Sequence, residues 1–143
     1  MSKGDTFEND LLKLIFQATA IANLADNAAG SPLTSLYVAL HTADPGEAGT
    51  QSTSEISYTG YARVAVLRSA GGWTVTGNSV SPLADVSFPI SAGGTGGTAT
   101  HASVGVASSG ASKILYSGAL SPNIVVTTGV TPIITTGSAI TED

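Results

Sequence analysis

The sequence predicts a mainly β protein: an antiparallel β-sandwich of jelly-roll-like form preceded by one N-terminal α-helix. Three observations carry that expectation. Apolar residues recur at three-to-four spacing only between Phe7 and Ala25. From Leu33 onward the period falls to two, in short β-branched segments. Those segments are separated by Gly, Ser and Pro at intervals that suit a sandwich or barrel and leave no room for crossover helices. Two four-stranded sheets are the expected arrangement and an open barrel the alternative. The order of the strands is not readable from the chain.

The helix comes first. Asp5 with Glu8 three residues on reads as an acidic capping box, with carboxylates facing the positive end of the helix dipole. Phe7, Leu11, Leu14, Ile15, Ala18, Ile21, Ala22 and Ala25 then form an apolar stripe, which Leu12, Phe16 and Leu24 widen. Gly30-Ser31-Pro32 marks its end, since the residue before a proline is pushed out of helical geometry. Leu33 to His41 alternates as a half-buried strand. Thr42 to Gly46 is a turn, built from Asp44, a Pro that fixes φ and a Gly that accepts a positive one. Glu47 to Thr59 reads as a long polar loop. Further strands are expected over 61–68, 73–76, 79–83, 85–90, 98–107, 112–120, 123–128 and 131–140, with Gly93 to Gly97 as a flexible loop. Ser81-Pro82, Ser121-Pro122 and Thr131-Pro132 punctuate strand edges.

At 143 residues the chain is long enough to bury a core unaided, and its domain organisation is read as a helix over 1–30 and a β domain over 31–143. Charge is the unusual quantity. Only 10% of residues are charged, against about a quarter in typical domains. Between Val86 and Thr141 the single charged side chain is Lys113. A surface of hydroxyls, backbone and small apolar groups resists close packing against other protein only weakly, and it offers almost no acid–base chemistry. A building block is expected, not an enzyme.

The net charge of −5 and five scattered basic residues argue against nucleic-acid binding. The absence of cysteine removes disulfides and thiolate sites. No apolar run is long enough to span a membrane, and the acidic start does not resemble a secretion signal.

Candidate sites are few. His41 and His101 both fall in strand-like runs with sparse carboxylates nearby, so each is expected in the core or at an interface; no metal site, cofactor or catalytic set is expected. The Gly93–Gly97 cluster lacks the Lys-Ser/Thr ending and following helix of a phosphate cradle. Arg63 and Arg68 flank one strand; they are expected to be solvated at a strand edge or to meet Asp26, Asp44 or Asp85 at a subunit contact. The helix is either a cover for the core or an arm that docks on a neighbour. The candidate interface set is therefore Phe7, Leu11, Leu14, Ile15, Arg63 and Arg68.

Leu36-Tyr37-Val38-Ala39-Leu40-His41-Thr42-Ala43-Asp44-Pro45-Gly46, followed by Gly60-Tyr61-Ala62-Arg63, resembles a family of small tailed-phage and prophage virion proteins. Val86-Ser87-Phe88-Pro89, Ala99-Thr100-His101 and Leu115-Tyr116-Ser117-Gly118-Ala119-Leu120 fit the same pattern. Members are often labelled tail-fibre proteins. The compact size, with no heptad and no fibrous repeat, looks more like a capsid decoration, or cement, protein. The resemblance implies a virion structural protein on the capsid exterior, made in the host bacterial cytoplasm. Its expected partners are the major capsid protein and itself, as a dimer or trimer. A fibre- or baseplate-associated protein of the tail is the alternative.

Overall fold

The structure is a computed structural model and describes residues 5–21 and 32–142. It is mainly β, with antiparallel sheets and one helix near the N-terminus, as the sequence predicts. The strands form sheets of four, three and two instead of two sheets of four. The chain divides into two compact units, one of Met1–Ser35, Val66–Asp85 and Thr135–Asp143, the other of Leu36–Ala65 and Val86–Ile134.

The first unit is built on α1 (Asp5–Gln17) and a sheet of β3 (Trp73–Thr76), β4 (Ser79–Pro82) and β9 (Ile140–Thr141). The helix is shorter than its apolar stripe suggested. It ends at Gln17; Ala18 takes φ +55° and Thr19 N–H donates back to Lys13 O at 3.1 Å. The expected stop at Gly30-Ser31 and the stripe residues Ala22, Leu24 and Ala25 lie outside the described residues. Glu8, Leu12 and Phe16, one helical turn apart, are the buried face. Phe16 meets Trp73 edge to face at 4.7 Å, a geometry that places ring edge against ring face. Val80 and Pro82 complete this core. The β3–β4 hairpin turns at Gly77, φ +60°, and Asn9 Nδ2 donates to Gly77 O at 2.6 Å.

The second unit holds most of a sheet ordered β2 (Val64–Leu67), β1 (Ser35–His41), β6 (Gly97–Gly105) and β7 (Ile114–Val126). The unit boundary falls within β2. A short ribbon joins β5 (Val86–Ser87) to β8 (Ile133–Ile134). The single strand expected over 131–140 is thus two, and the pair expected over 112–128 is one. Leu36, Val38, Leu40, Ile56, Val86, Phe88, Val104 and Val126 are the core.

β1 is not half-buried: from Val38 to His41 every residue is buried. One reason is its inner place in the sheet. The other is that the segment expected as a polar loop folds back along its end, with Ile56 N–H on Leu40 O at 2.9 Å and Thr42 N–H on Ser54 O at 2.8 Å. Gln51, Ile56 and Tyr58 of that segment point inward and are buried. The Gly93–Gly97 loop is also tied down, through Thr59 N–H on Gly93 O and Gly96 N–H on Ser57 O.

Candidate functional site

The interior of the second unit contains a directed chain of polar side chains. Arg63, 7% exposed, grips Glu55 with two parallel bonds, Nε to Oε1 at 2.7 Å and Nη2 to Oε2 at 2.8 Å. This fork is the strongest geometry available to the pair, and the Glu55 hydrogen bonds push the guanidinium pKa up. The rest of the guanidinium donates to Ala107 O, Gly110 O and Ser112 Oγ at 2.8–3.0 Å. Ser112 Oγ–H donates in turn to Gln51 Oε1 at 2.8 Å, and Gln51 Nε2 donates to Tyr37 O at 2.8 Å. On the other side of Glu55, Tyr61 O–H donates to Oε1 at 2.9 Å and accepts from Leu40 N–H. Burial pushes the Tyr61 phenol well above its usual pKa.

His41 closes this arrangement. Its Nδ1 lies 2.8 Å from Thr53 O and its Nε2 lies 2.8 Å from Ser103 Oγ. A carbonyl only accepts, so Nδ1 carries the proton. Burial holds the imidazole below its ordinary pKa of 6.5 and keeps it neutral near pH 7, so Nε2 accepts from Ser103. The position next to Gln51 explains a glycine. A Cβ on Gly105 would collide with the Gln51 carboxamide and with Lys113 O. His41, expected in the core or at an interface, is in the core, while Glu55 and Gln51 sit in the segment expected to be a polar loop.

In the first unit Arg68 does a different job. The last turn of α1 has no basic residue of its own. Arg68 reaches it instead, donating from Nε to Ile15 O and from Nη2 to Leu14 O, both at 2.6 Å. Two carbonyls of the helix's last turn thereby gain a charged donor, and a positive charge sits at the negative end of the dipole.

Of the residues singled out as a candidate interface, Leu11, Leu14 and Ile15 are half-buried, beside the more deeply buried Leu12 and Phe16. Phe7 lies in the helix and its side chain is outside the described part. Arg63 and Arg68 end on Glu55 and on helix carbonyls, not on Asp44 or Asp85; Asp26 is outside the described residues. His101 sits opposite His41 on β6, half-buried, with Nδ1 2.9 Å from Thr100 Oγ1. Among the described residues no three His, Asp or Glu side chains gather as a metal site would require, and no helix is long and apolar enough to cross a membrane.

Outward, the second unit carries few charges, with Asp44, Glu47 and Lys113 exposed, and one part of its surface is uncharged. A cleft of about 340 Å³ lies between Gly94–Thr98 and Val125–Thr128, floored by Ser91 and edged by threonines. Val125 in its wall is 62% exposed, and Ile90 and Ile133 are exposed on the same unit. The positive φ of Gly94, Gly96 and Gly97 shapes this loop; at Gly96 a Cβ would also strike Val126 O.

The described strands pair antiparallel, the buried Arg63 and Glu55 meet each other, and the stretch from Val86 to Thr141 exposes a single charged side chain, Lys113. The chain belongs to the family described as podophage GP4 fiber I protein gp80, whose pattern matches residues 3–141. It is therefore a bacteriophage virion structural protein of fibre type. No curated protein matches the chain.

Proposed function

We propose that the chain is a structural component of a phage tail fibre, acting through protein–protein contact and without enzymatic activity. The observation that carries this reading is the family match over residues 3–141, whose description names a fibre protein. It favours the tail over the capsid exterior that compact size had suggested. The structure supplies the supporting physics. Arg63, Glu55, Gln51, Ser103 and His41 are each held by internal hydrogen bonds, so the buried polar groups rigidify the fold. The surface left over is suited to permanent packing, because few ion pairs would need to form or break.

Copy number in purified virions tests the location. A handful per particle, with label confined to the tail in electron micrographs, is the expected result; hundreds per particle distributed over the head would return the chain to the capsid. A deletion phage gives a second reading. Lost adsorption with unchanged heat resistance of the filled head fits a fibre, and the opposite pair of phenotypes fits a cement protein bridging capsid subunits.

A further inference from the structure

His41, Gln51 and Ser103 lie inside the second unit at 0%, 0% and 2% exposure. Their hydrogen bonds hold the fold, and their arrangement also has the parts of an acyl-transfer site. His41 Nδ1 is fixed on Thr53 O, which leaves Nε2 to accept from Ser103 Oγ, 2.8 Å away. A base in contact with a hydroxyl, its tautomer set by a third group, is the arrangement that activates a serine. Burial keeps the imidazole neutral near pH 7 and so able to take a proton.

A serine–histidine pair ordinarily serves a substrate from outside. None reaches this one, because both members are buried. The electrophile must belong to the chain itself, and the Gln51 carboxamide is in place. Its Nε2 lies 3.4 Å from Ser103 Oγ, longer than an ordinary N–H···O bond, and makes its close bond to Tyr37 O at 2.8 Å. The last torsion of a glutamine side chain is soft, so a modest turn of the carboxamide offers the face of Cδ to Oγ. On its far side, Oε1 receives Ser112 Oγ–H at 2.8 Å and Arg63 Nη1 at 3.4 Å. A hydroxyl donor and a cation at the carbonyl oxygen stabilise the negative charge that attack on Cδ would create there. Gly105 makes room for the group, since a Cβ at that position would strike Gln51 Cδ and Oε1.

We propose that Ser103 Oγ attacks Gln51 Cδ and forms an ester within the chain, with loss of ammonia. The Oγ–Cδ bond forms as the hydroxyl proton passes to His41 Nε2. The Cδ–Nε2 bond then breaks, and the same proton moves from His41 to the departing nitrogen. An amide and an alcohol become an ester and ammonia, so no oxidant or other reactant is needed. The burial that excludes a foreign substrate also keeps water from the product. The event happens once per chain, without turnover, and ties the segment after β1 to β6. It does not depend on where in the virion the protein sits.

Intact mass of the full-length protein tests the proposal. The unsubstituted chain should weigh one ammonia less than Ser103→Ala and His41→Gln, once the substitutions themselves are allowed for. A digest should hold one pair of peptides joined through Gln51 and Ser103, and neutral hydroxylamine should cleave the unfolded protein's link, because it attacks esters and spares amides. Ser112→Ala keeps both reacting groups and removes a donor to Oε1, so the link should appear about a hundredfold more slowly in freshly made protein. A full sequence mass in aged unsubstituted protein, a link that persists in Ser103→Ala, or an ammonia lost from any residue other than Gln51 would each overturn the proposal.

Discussion

Arg63 and Arg68 stand at the two ends of β2, and each solves the problem of a charge drawn out of water in its own way. Arg63 meets a carboxylate. Glu55 takes two of its bonds, and carbonyls of Ala107 and Gly110 with Ser112 Oγ take the rest. Among the described residues Arg68 meets no carboxylate; it rests on the carbonyls of Leu14 and Ile15 at the end of α1. The first arrangement neutralises one full charge with another inside a polar interior. The second neutralises it with the partial charges of a helix terminus, near the place where Phe16 packs on Trp73. The lesson is that the two residues, alike in sequence, should differ in what their loss leaves behind. Removing Arg63 strands a carboxylate. Removing Arg68 strands only carbonyls at a helix end.

The largest expected effect breaks the first arrangement. Arg63→Ala leaves Glu55, whose side chain is 17% exposed, without its counter-charge and frees the Gly110 and Ala107 carbonyls. A loss of about 3–5 kcal/mol is expected from such a buried pair, measured by urea unfolding. Glu55→Gln combined with Arg63→Met should recover part of it, because no charge is then stranded. Next in size, Gly105→Ala pushes a methyl into Gln51 and should cost about 1–3 kcal/mol, again by urea unfolding. Serine in place of Gln51 should relieve the side-chain part of that clash and leave the contact with Lys113 O, so the double variant should be more stable than the sum of single effects implies while still below the unsubstituted protein.

Arg68→Ala should cost less, about 1–2 kcal/mol, since water can reach carbonyls at a helix end more readily than the Glu55 site. Its mark is local: faster exchange of α1 amides, with those of β1 and β6 unaltered. If Arg68→Ala proves as costly as Arg63→Ala, the contrast between the two sites is wrong.

The smallest effect is a pH slope. His41 binds its proton less readily in the folded chain than in the unfolded one, because burial opposes the charged form. At pH values below 6.5 the unfolded state therefore holds more protons, and stability falls as pH drops from 6.5 toward the folded pKa; above 6.5 this contribution is fully kept. Unfolding curves between pH 7.5 and 5.5 should show this decline, and His41→Gln should flatten it. An unchanged slope in the variant would assign the pH dependence to other groups.

The sequence by itself determined what periodicity and turn chemistry encode. A three-to-four stripe makes a helix, and β-branched runs broken by Gly and Pro make antiparallel strands; the scarcity of charge from Val86 to Thr141, with Lys113 alone, is read directly from the chain. The β3 boundaries, Trp73–Thr76, were readable because Gly72 and Gly77 bracket them. The family resemblance was readable in the same turn and strand motifs, while tail or capsid was not, because compactness says nothing of location.

Only the tertiary structure decided the rest. Glu47 to Thr59 looks like loop because its polar residues show no period, yet Gln51 and Glu55 are polar for the opposite reason, to satisfy His41's neighbours and Arg63 indoors. The helix stops at Gln17 although the apolar pattern runs on, and Arg68 from far along the chain donates to the carbonyls of its last turn. β7 continues through Pro122 because a bulge opposite Thr100 absorbs the extra residues. In each case the deciding partner is distant in sequence. Local pattern fixes what a segment can be; the long-range hydrogen bond decides which of those possibilities is stable.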